Sequence, residues 1–255
     1  MDITFEKQGR IGLVTINRPD KMNAITFQMV DDLKAMFGQI RKDMDIHVVV
    51  ITGAGEKAFC VGQDLNEFRS FLEAENNVLK KSFWDTTSYD SILTDDTFNK
   101  PVIAAINGHC LGYGLTLALS SDLRISSDQS TFGFPEVKIG IPTVIGAIKI
   151  PRTIALGPAM ELLLTGDAIN AQEAYRMNLI NRVVEPSNVM KTAMELADKI
   201  ARHNPVAVKA TKEIAIRGLG LPFSEIWRMG ESFRVLSFDF DEVKARFNEY
   251  LQRKE

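Results

Sequence analysis

Short apolar, β-branched runs alternate with longer segments of helical periodicity along much of the chain. The segment that follows Thr26, a residue type that often caps helices, repeats apolar side chains every three or four positions. Strands that alternate with helices favour an α/β fold. The pattern predicts strands at residues 11–16, 48–52, 102–106, 123–126 and 180–184.

The last third of the chain has the pattern of successive helices. Asn170 and Glu173 are spaced as in a capping box, with Asn in place of Ser or Thr. Two prolines, Pro205 and Pro222, divide the tail into segments of about fifteen residues, a length typical of globular helices. Apolar stripes on these segments predict core packing, and an exposed part of a stripe would be a subunit contact.

The segment 67–100 has no sustained period and is rich in charged and small polar residues. Its aromatic residues include Phe83, Trp84 and Tyr89. Two interpretations remain open. The segment either helps to shape a pocket beside the residues that precede it or is a surface excursion without function.

Composition is that of an ordinary soluble globular protein: 255 residues, 45% hydrophobic and 25% charged, which is enough chain for a substantial core. The net charge of −3 and scattered basic residues argue against a nucleic-acid partner. We expect no secretory signal and no membrane span, and hence a cytoplasmic protein. Cys60 and Cys110 are expected to be reduced, small apolar fillers, with a disulfide between them as the alternative.

Two glycine-containing loops, residues 59–65 and 107–114, each follow an apolar run. Glycine stands where the backbone must turn sharply, so two such loops can direct two N–H groups at one oxygen. That arrangement stabilises negative charge on a carbonyl oxygen. The second loop leads into an apolar stretch that would open a helix, whose N-terminus adds N–H groups and partial positive charge. The expected donors are the backbone N–H groups of Gln63 and Tyr113.

Other motifs do not fit the spacing that their chemistry needs. The third glycine of a GxGxxG turn would fall at Leu117, and no GxSxG sequence offers a nucleophilic serine. The three histidines are too dispersed to predict a metal site. His109, beside the second loop, is interpreted as a hydrogen-bonded, partly buried side chain, with substrate contact as the alternative.

Glu136 is the acidic residue with the most unusual sequence neighbours. It follows Phe132, Phe134 and Pro135 and precedes a turn-rich apolar stretch. A carboxyl group in such surroundings would be desolvated, which raises its pKa toward the range useful for proton transfer. A surface glutamate at the end of a strand is the equally weighted alternative.

Several separated motifs, in order and at appropriate spacing, resemble those of the crotonase superfamily of enoyl-CoA hydratases and isomerases. The resemblance covers essentially the whole chain and involves Asn17-Arg18-Pro19, Asn23-Ala24, Ala58-Phe59 through Asp64-Leu65, Asn107-Gly108 through Gly114, Ser121-Asp122, Phe132 to Glu136 and Leu164-Thr165-Gly166. It implies a spiral of ββα turns over residues 1–195 and a helical region over 196–255 that forms trimers, often paired into hexamers.

The resemblance also implies an acyl-CoA thioester substrate and no metal or dissociable organic cofactor. The thioester oxygen would lie between the Gln63 and Tyr113 amides, with Glu136 as the acid/base. Contacts to CoA would come from five residues: Met22, Ala24, Val61, Asp64 and, most plausibly from a neighbouring subunit, Tyr250. Asn66 stands where the family often has a lysine.

The chain departs from typical hydratases at Thr116, where a first catalytic glutamate would stand. The preferred interpretation is hydration with Glu136 as the principal acid/base and a water hydrogen-bonded to Thr116, on a conjugated or cyclic enoyl-CoA. A single carboxylate also suffices for Δ3–Δ2 isomerisation by Glu136 alone, which is the alternative. A catalytically silent acyl-CoA-binding protein is the second alternative.

Overall fold

The computed structural model describes residues 1–73, 98–236, 238 and 240–252. Contacts within the chain divide it into two compact units, Met1–Arg202 and His203–Glu255. The expected boundary after residue 195 falls within a helix of the first unit, Val189–Ala201. Of segment 67–100, only residues up to 73 and from 98 are described, so Phe83, Trp84 and Tyr89 lie outside the described residues and their part in either interpretation stays a prediction.

The first unit alternates strands and helices. Its strands are β1 (Ile3–Gln8), β2 (Ile11–Ile16), β3 (Val48–Gly53), β4 (Ala58–Cys60), β5 (Val102–Ile106), β6 (His109–Leu111), β7 (Leu123–Ser127), β8 (Thr131–Gly133), β9 (Ile169–Asn170) and β10 (Arg182–Val184). Its helices are α1 (Phe27–Lys42), α2 (Leu65–Glu73), α3 (Tyr113–Ser120), α4 (Ile145–Lys149), α5 (Leu156–Thr165), α6 (Ala171–Arg176) and α7 (Val189–Ala201). Short 3₁₀ turns are Pro19–Lys21, Pro135–Ile139, Ile150–Arg152 and Pro186–Asn188.

A six-stranded sheet in the order β1-β2-β3-β5-β7-β10 forms the centre of this unit. Only the β1–β2 pair is antiparallel, and the remaining neighbours are parallel. Every residue of β3 and β5 is buried, which explains why their sequences are continuous apolar runs rather than alternating ones. Helix α7 covers one face with Ala193, Ala197 and Ala201, confirming the core role of its apolar stripe.

A second sheet in the order β4-β6-β8-β9 contains the short strands that follow β3, β5 and β7 along the chain. Strand β4 pairs with β6, and β6 pairs with β8, in both cases in parallel. The carboxyl ends of the three strands therefore lie side by side. The chain leaves β4 into the first glycine loop, β6 into the second and β8 into the turn that holds Glu136. The repeated strand–strand–helix path therefore brings three distant segments to one edge.

Local signals in the sequence are confirmed at several positions. Strands β2 and β5 have the predicted bounds, whereas β10 begins at Arg182 rather than at residue 180. The Thr26 hydroxyl caps α1 by accepting the Met29 N–H, and Asn170 with Glu173 forms the capping box of α6. Cys60 and Cys110 are adjacent across β4 and β6 as buried free thiols, and burial raises the pKa of Cys60 to about 12.

The second unit contains three helices, α8 (Pro205–Gly218), α9 (Phe223–Leu236) and α10 (Phe240–Gln252). Asn204 caps α8 by accepting the N–H groups of Val206 and Ala207, in agreement with the predicted break before Pro205. Helices α8 and α9 contact each other, and Ile214 lies against Gly230. Among the described residues, no helix combines the length and apolar character needed to cross a membrane.

Candidate active site

The two glycine loops contact each other, and glycine is what permits the contact. Gly62 and Gly112 have φ values of +105° and +54°, a region that residues with a Cβ rarely adopt. A Cβ built on Gly62 would lie 3.5 Å from the Tyr113 nitrogen. A Cβ on Gly114 would lie 2.1 Å from the Cys60 carbonyl oxygen, so no larger residue fits between β4 and the start of α3.

The first loop holds Gln63 in a short parallel bridge with Ile25. The Ile25 N–H donates to the Gly62 carbonyl and the Asp64 N–H donates to the Ile25 carbonyl, each at 2.8 Å. In this pattern the residue between the two bonds turns its own N–H to the opposite side. The bridge thus directs the Gln63 N–H away from Ile25, and Gln63 lines the cavity described below.

Tyr113 is the first residue of α3, where N–H groups point out of the helix end and the helix dipole is positive. The Gly112 N–H donates to the Gly133 carbonyl at 2.9 Å, and the Thr116 N–H donates to the Gly112 carbonyl at 3.0 Å. From Gly114 to Leu119 every residue of α3 is buried, and all of them except Thr116 are apolar. Its N-terminal end is therefore fixed at the second loop.

Glu136 lies in the turn Pro135–Ile139, directly after β8. Its Oε1 accepts a hydrogen bond from the Thr143 hydroxyl at 3.2 Å, whereas its Oε2 is buried and has no hydrogen-bond partner among the described residues. A Cβ on Gly112 would lie 3.2 Å from Oε1, which places the carboxyl group beside the second loop. Burial raises the Glu136 pKa and outweighs hydrogen bonds from its own backbone and from Thr143, which lower it.

One cavity of about 370 Å³ joins these features. Five predicted site residues line it together: Val61, Gln63, Tyr113, Thr116 and Glu136. Most of the remaining wall is apolar and comes from Phe27, Leu65, Phe68, Pro135, Ile139, Ile141, Pro142, Val144 and Ile145. In such a low-dielectric environment the dipoles of N–H groups and the charge of a carboxylate act more strongly than they do in water.

The predicted CoA contact Asp64 has a structural function in this fold. Its carboxylate accepts from Arg18 Nη2 at 3.1 Å and from the N–H groups of Asn66 and Glu67 at the start of α2. Burial tends to raise the Asp64 pKa, but these hydrogen bonds outweigh it and the pKa is lowered. Asp64 is not among the described residues that line the cavity.

Three further predicted CoA contacts, Met22, Ala24 and Tyr250, are not among the described residues that line this cavity, whereas Val61 is. Met22 follows the Pro19–Lys21 turn with φ +50°, and the Ala24 carbonyl accepts from Arg18 Nη1 at 2.7 Å. Tyr250 is 56% exposed on α10, in the second unit. Contact of Met22, Ala24, Asp64 and Tyr250 with CoA stays a prediction. His109 has the hydrogen-bond partner expected of it, since its Nδ1 lies 2.7 Å from the Thr131 hydroxyl.

Sequence reasoning missed Thr143, the residue that hydrogen-bonds to Glu136. The residue types of stretch 140–142 indicate a turn after Glu136. They do not indicate that the chain reverses far enough to bring residue 143 back to the carboxyl group. Gly140, at φ +77°, makes that reversal. Its position between Glu136 and Thr143 was the available signal.

The geometry can be compared with known proteins. The family model described as enoyl-CoA hydratase/isomerase matches residues 6–253. The chain belongs to this family. Membership confirms the predicted crotonase superfamily and its α/β fold, and the chain is thus one of a family of enzymes that process acyl-CoA thioesters.

Individual members of the enoyl-CoA hydratase/isomerase family are similar over most of their lengths. The short-chain-enoyl-CoA hydratase of Clostridium acetobutylicum is 39% identical over 86% of this chain and 82% of its own. The (E)-benzylidenesuccinyl-CoA hydratase of Thauera aromatica is 40% identical over 87% and 85%. A crystal structure of enoyl-CoA hydratase from Bacillus anthracis matches with a TM-score of 0.87 and 30% identity, over 98% of this chain and 97% of that one.

Proposed function

We propose that the protein is an enoyl-CoA hydratase in which Glu136 is the principal acid/base. The observation that supports this proposal best is the Glu136 carboxyl group itself. Glu136 lines the same cavity as Gln63 and Tyr113, and one of its oxygens is buried without a hydrogen-bond partner among the described residues. The names of the similar hydratases support the same reaction.

The first element of the proposed mechanism is an oxyanion hole. The thioester carbonyl of an enoyl-CoA would accept hydrogen bonds from the Gln63 and Tyr113 N–H groups. As negative charge develops on that oxygen, fixed N–H donors stabilise it without having to reorient. Each donor of this kind is worth about 10²- to 10³-fold in kcat.

The second element is proton transfer. The Glu136 carboxylate would take a proton from a water molecule whose oxygen forms a bond to the β-carbon, while the double-bond electrons move into the thioester enolate. Glu136 would then return that proton to the α-carbon. The sum is addition of one water across the double bond. Only protons and water move, so the reaction requires no cofactor beyond the CoA that the substrate carries.

Thr116 has a supporting place in this proposal. It is buried, only 3% exposed, and lines the same cavity as Glu136. A hydroxyl group of ordinary pKa cannot replace a carboxylate as a base, but it can hydrogen-bond the water that Glu136 activates. A hydratase with one carboxylate would favour activated substrates, so we include a conjugated or cyclic enoyl-CoA in the proposal.

The same single carboxylate favours a second candidate, the Δ3–Δ2 isomerisation of an enoyl-CoA. Glu136 would remove a proton from the α-carbon and return it to the γ-carbon through the same enolate. The observation behind this alternative is Thr116, which supplies no second acid/base in the cavity. The silent binding protein is less well supported, because Glu136 has the burial and position that proton transfer needs.

Three further predictions accompany the proposed function. Met22, Ala24, Val61, Asp64 and Tyr250 would form or support the CoA site. The helices of the second unit would assemble the protein into a trimer or a dimer of trimers. A cytoplasmic location is consistent with Cys60 and Cys110, which are free thiols adjacent to each other.

Replacement of Glu136 by glutamine tests the proposed role. Turnover of enoyl-CoA should fall by about 10²- to 10⁴-fold, since the acid/base is lost. Affinity for butyryl-CoA, a saturated thioester that cannot react, should be retained in calorimetric titrations. Glu161→Gln, at an exposed position on α5, is the matched control and should keep full activity. Unchanged turnover in Glu136→Gln would show that the assignment is wrong.

The reaction itself is decided by comparing substrates on the unaltered protein. Crotonyl-CoA, a 3-enoyl-CoA and a cyclic dienoyl-CoA would be assayed side by side for hydration and for double-bond migration. Hydration of a 2-enoyl-CoA as the fastest reaction supports the hydratase, and migration in the 3-enoyl-CoA as the fastest supports the isomerase. Fastest turnover of crotonyl-CoA would exclude the specialised substrate.

A further inference from the structure

The two oxygens of the Glu136 carboxyl group are in different states. Oε1 accepts the hydrogen bond from the Thr143 hydroxyl at 3.2 Å. Oε2 is buried without a hydrogen-bond partner in the described part of the chain. A buried carboxylate with a purely structural role would be stabilised by hydrogen bonds to both of its oxygens. The difference between Oε1 and Oε2 therefore needs a physical explanation.

The loop between Glu136 and Thr143 is built to bring the two side chains together. The Gly140 N–H donates to the Val137 carbonyl at 3.1 Å, and the Ile141 N–H donates to the Glu136 carbonyl at 3.0 Å. Gly140 adopts a left-handed conformation, with φ +77°, which reverses the chain direction. Thr143 therefore returns to the turn from which the chain departed.

Helix α4 fixes Thr143 from the other side. A Cβ built on Gly146 would lie 3.0 Å from the Thr143 hydroxyl oxygen and 2.4 Å from the Phe134 ring. Phe134 is fully buried and stands two residues before Glu136. The backbone of Gly146 thus lies close to the Phe134 ring and to the Thr143 hydroxyl group, which limits movement of that hydroxyl group.

We propose that Thr143 is a positioning residue: its hydroxyl group holds Oε1 and so fixes the orientation of the Glu136 carboxyl group beside the second loop. The proposal rests on the proposed function, in which Glu136 is the acid/base. Thr143 acts through Glu136 and takes no proton itself. Its hydrogen bond also favours the ionised form of the carboxyl group, the form that acts as a base.

Charged neighbours do not provide an alternative control of Glu136 within the described residues, where its pKa is set by burial and by hydrogen bonds. On its own turn, Lys138 pairs with Asp167 at 2.6 Å. The Glu67 carboxylate on α2 accepts hydrogen bonds from the backbone N–H of Phe27 and from the side-chain amide of Gln63. Other titratable groups on neighbouring helices are Tyr113 at the start of α3, Glu161 on α5 and Lys149 at the end of α4.

The test compares Thr143→Val, which replaces the hydroxyl group by a methyl of similar shape, with Thr143→Ser, which keeps the hydroxyl. The pH profile of kcat/KM is measured with the best enoyl-CoA substrate. In Thr143→Val the acid limb should move to higher pH, because loss of the hydrogen bond raises the Glu136 pKa and the base must be ionised. At the optimum, kcat should fall about tenfold with little change in KM. Thr143→Ser should restore both values.

Three results would overturn the proposal. One is a Thr143→Val profile that coincides with that of the unaltered protein, and another is a Thr143→Ser variant that behaves like Thr143→Val. If Thr143→Val does not fold, Thr143→Ala replaces it, and an unshifted acid limb there is equally contradictory. Glu136→Gln is measured in parallel. If Glu136→Gln is inactive and the pH profile of Thr143→Val is unshifted, only the positioning role is rejected. If Glu136→Gln retains turnover, the proposed function is rejected.

Discussion

Glu136 is held in surroundings that disfavour the charge it needs as a base. Burial raises its pKa, and only a few hydrogen bonds oppose that effect. The sequence indicated this environment, because aromatic residues and a proline directly precede the glutamate. It did not indicate Thr143, since the hydrogen bond depends on a chain reversal that residue types alone do not specify.

The raised pKa has a consequence for stability. The folded state binds the Glu136 proton more tightly than the unfolded chain, whose glutamates titrate near about pH 4.3, so this carboxyl lowers the free energy of unfolding as pH rises. The loss begins at the unfolded pKa and is complete above the folded pKa. Glutamine does not titrate and would escape this loss.

Glu136→Gln should therefore be inactive and yet at least as stable as the unaltered protein at neutral pH. The gain in the free energy of unfolding should be absent below the pKa of an unfolded glutamate, about 4.3, and should grow with pH until the Glu136 carboxyl group of the folded protein is fully ionised. Urea unfolding at several pH values and one protomer concentration measures it. A variant that loses stability with rising pH, relative to the unaltered protein, would contradict the sign of the pKa shift.

The element that determines the candidate oxyanion hole is the pair of loops after β4 and β6. Their glycines were visible in the sequence, but the parallel pairing of β4 with β6 is what places them in contact. Asp64 illustrates the same limit. Its pairing with Arg18, 46 positions away, is a contact that the sequence pattern did not indicate, and its contact with CoA stays a prediction.

Gly62→Ala tests the first loop. Space for a methyl group exists, since the nearest atoms to the new Cβ are at 3.4 Å or more, but φ +105° is strained for alanine. Relief of that strain would turn the Gln63 N–H out of position. We expect kcat for the enoyl-CoA reaction to fall by about 10²-fold, the effect of losing one oxyanion donor, while butyryl-CoA still binds.

Gly157→Ala is the matched control for that variant. Gly157 lies in α5, and a Cβ there would meet no atom within 4 Å. It should leave kcat unchanged and stabilise the helix by up to about 1 kcal/mol. An unaltered kcat in Gly62→Ala, with kinetics equal to those of Gly157→Ala, would exclude Gln63 as a required donor.

At the scale of the whole molecule, the second unit exposes large apolar side chains. Phe223 and Trp227 on α9 are 77% and 60% exposed, with ring centroids 5.9 Å apart. An exposed cluster of this kind is typical of a surface that binds another protein, and a second copy of the chain is the partner in the proposed assembly.

Trp227→Asp should reduce the mass in solution from that of the oligomer toward that of the 28.5 kDa chain, because a charge would replace an apolar contact. Light scattering coupled to size exclusion measures the change. Met44→Asp, at an apolar position of the first unit that is 71% exposed, serves as the control and should leave the mass unchanged. An unchanged mass for Trp227→Asp would remove α9 from the proposed interface.

The sequence by itself determined the α/β class, the positions of the central strands β2, β3, β5 and β7, the helix caps and the glycine loops. These features depend on residues close together in the chain, so local pattern and backbone preference suffice to predict them. Tertiary structure decided which groups meet: Glu136 with Thr143, Asp64 with Arg18, and Gln63, Tyr113 and Thr116 around one cavity. The shared cavity follows from the pairing of β4, β6 and β8, which the packing of the whole unit sets, and the Glu136–Thr143 contact follows from the chain reversal at Gly140.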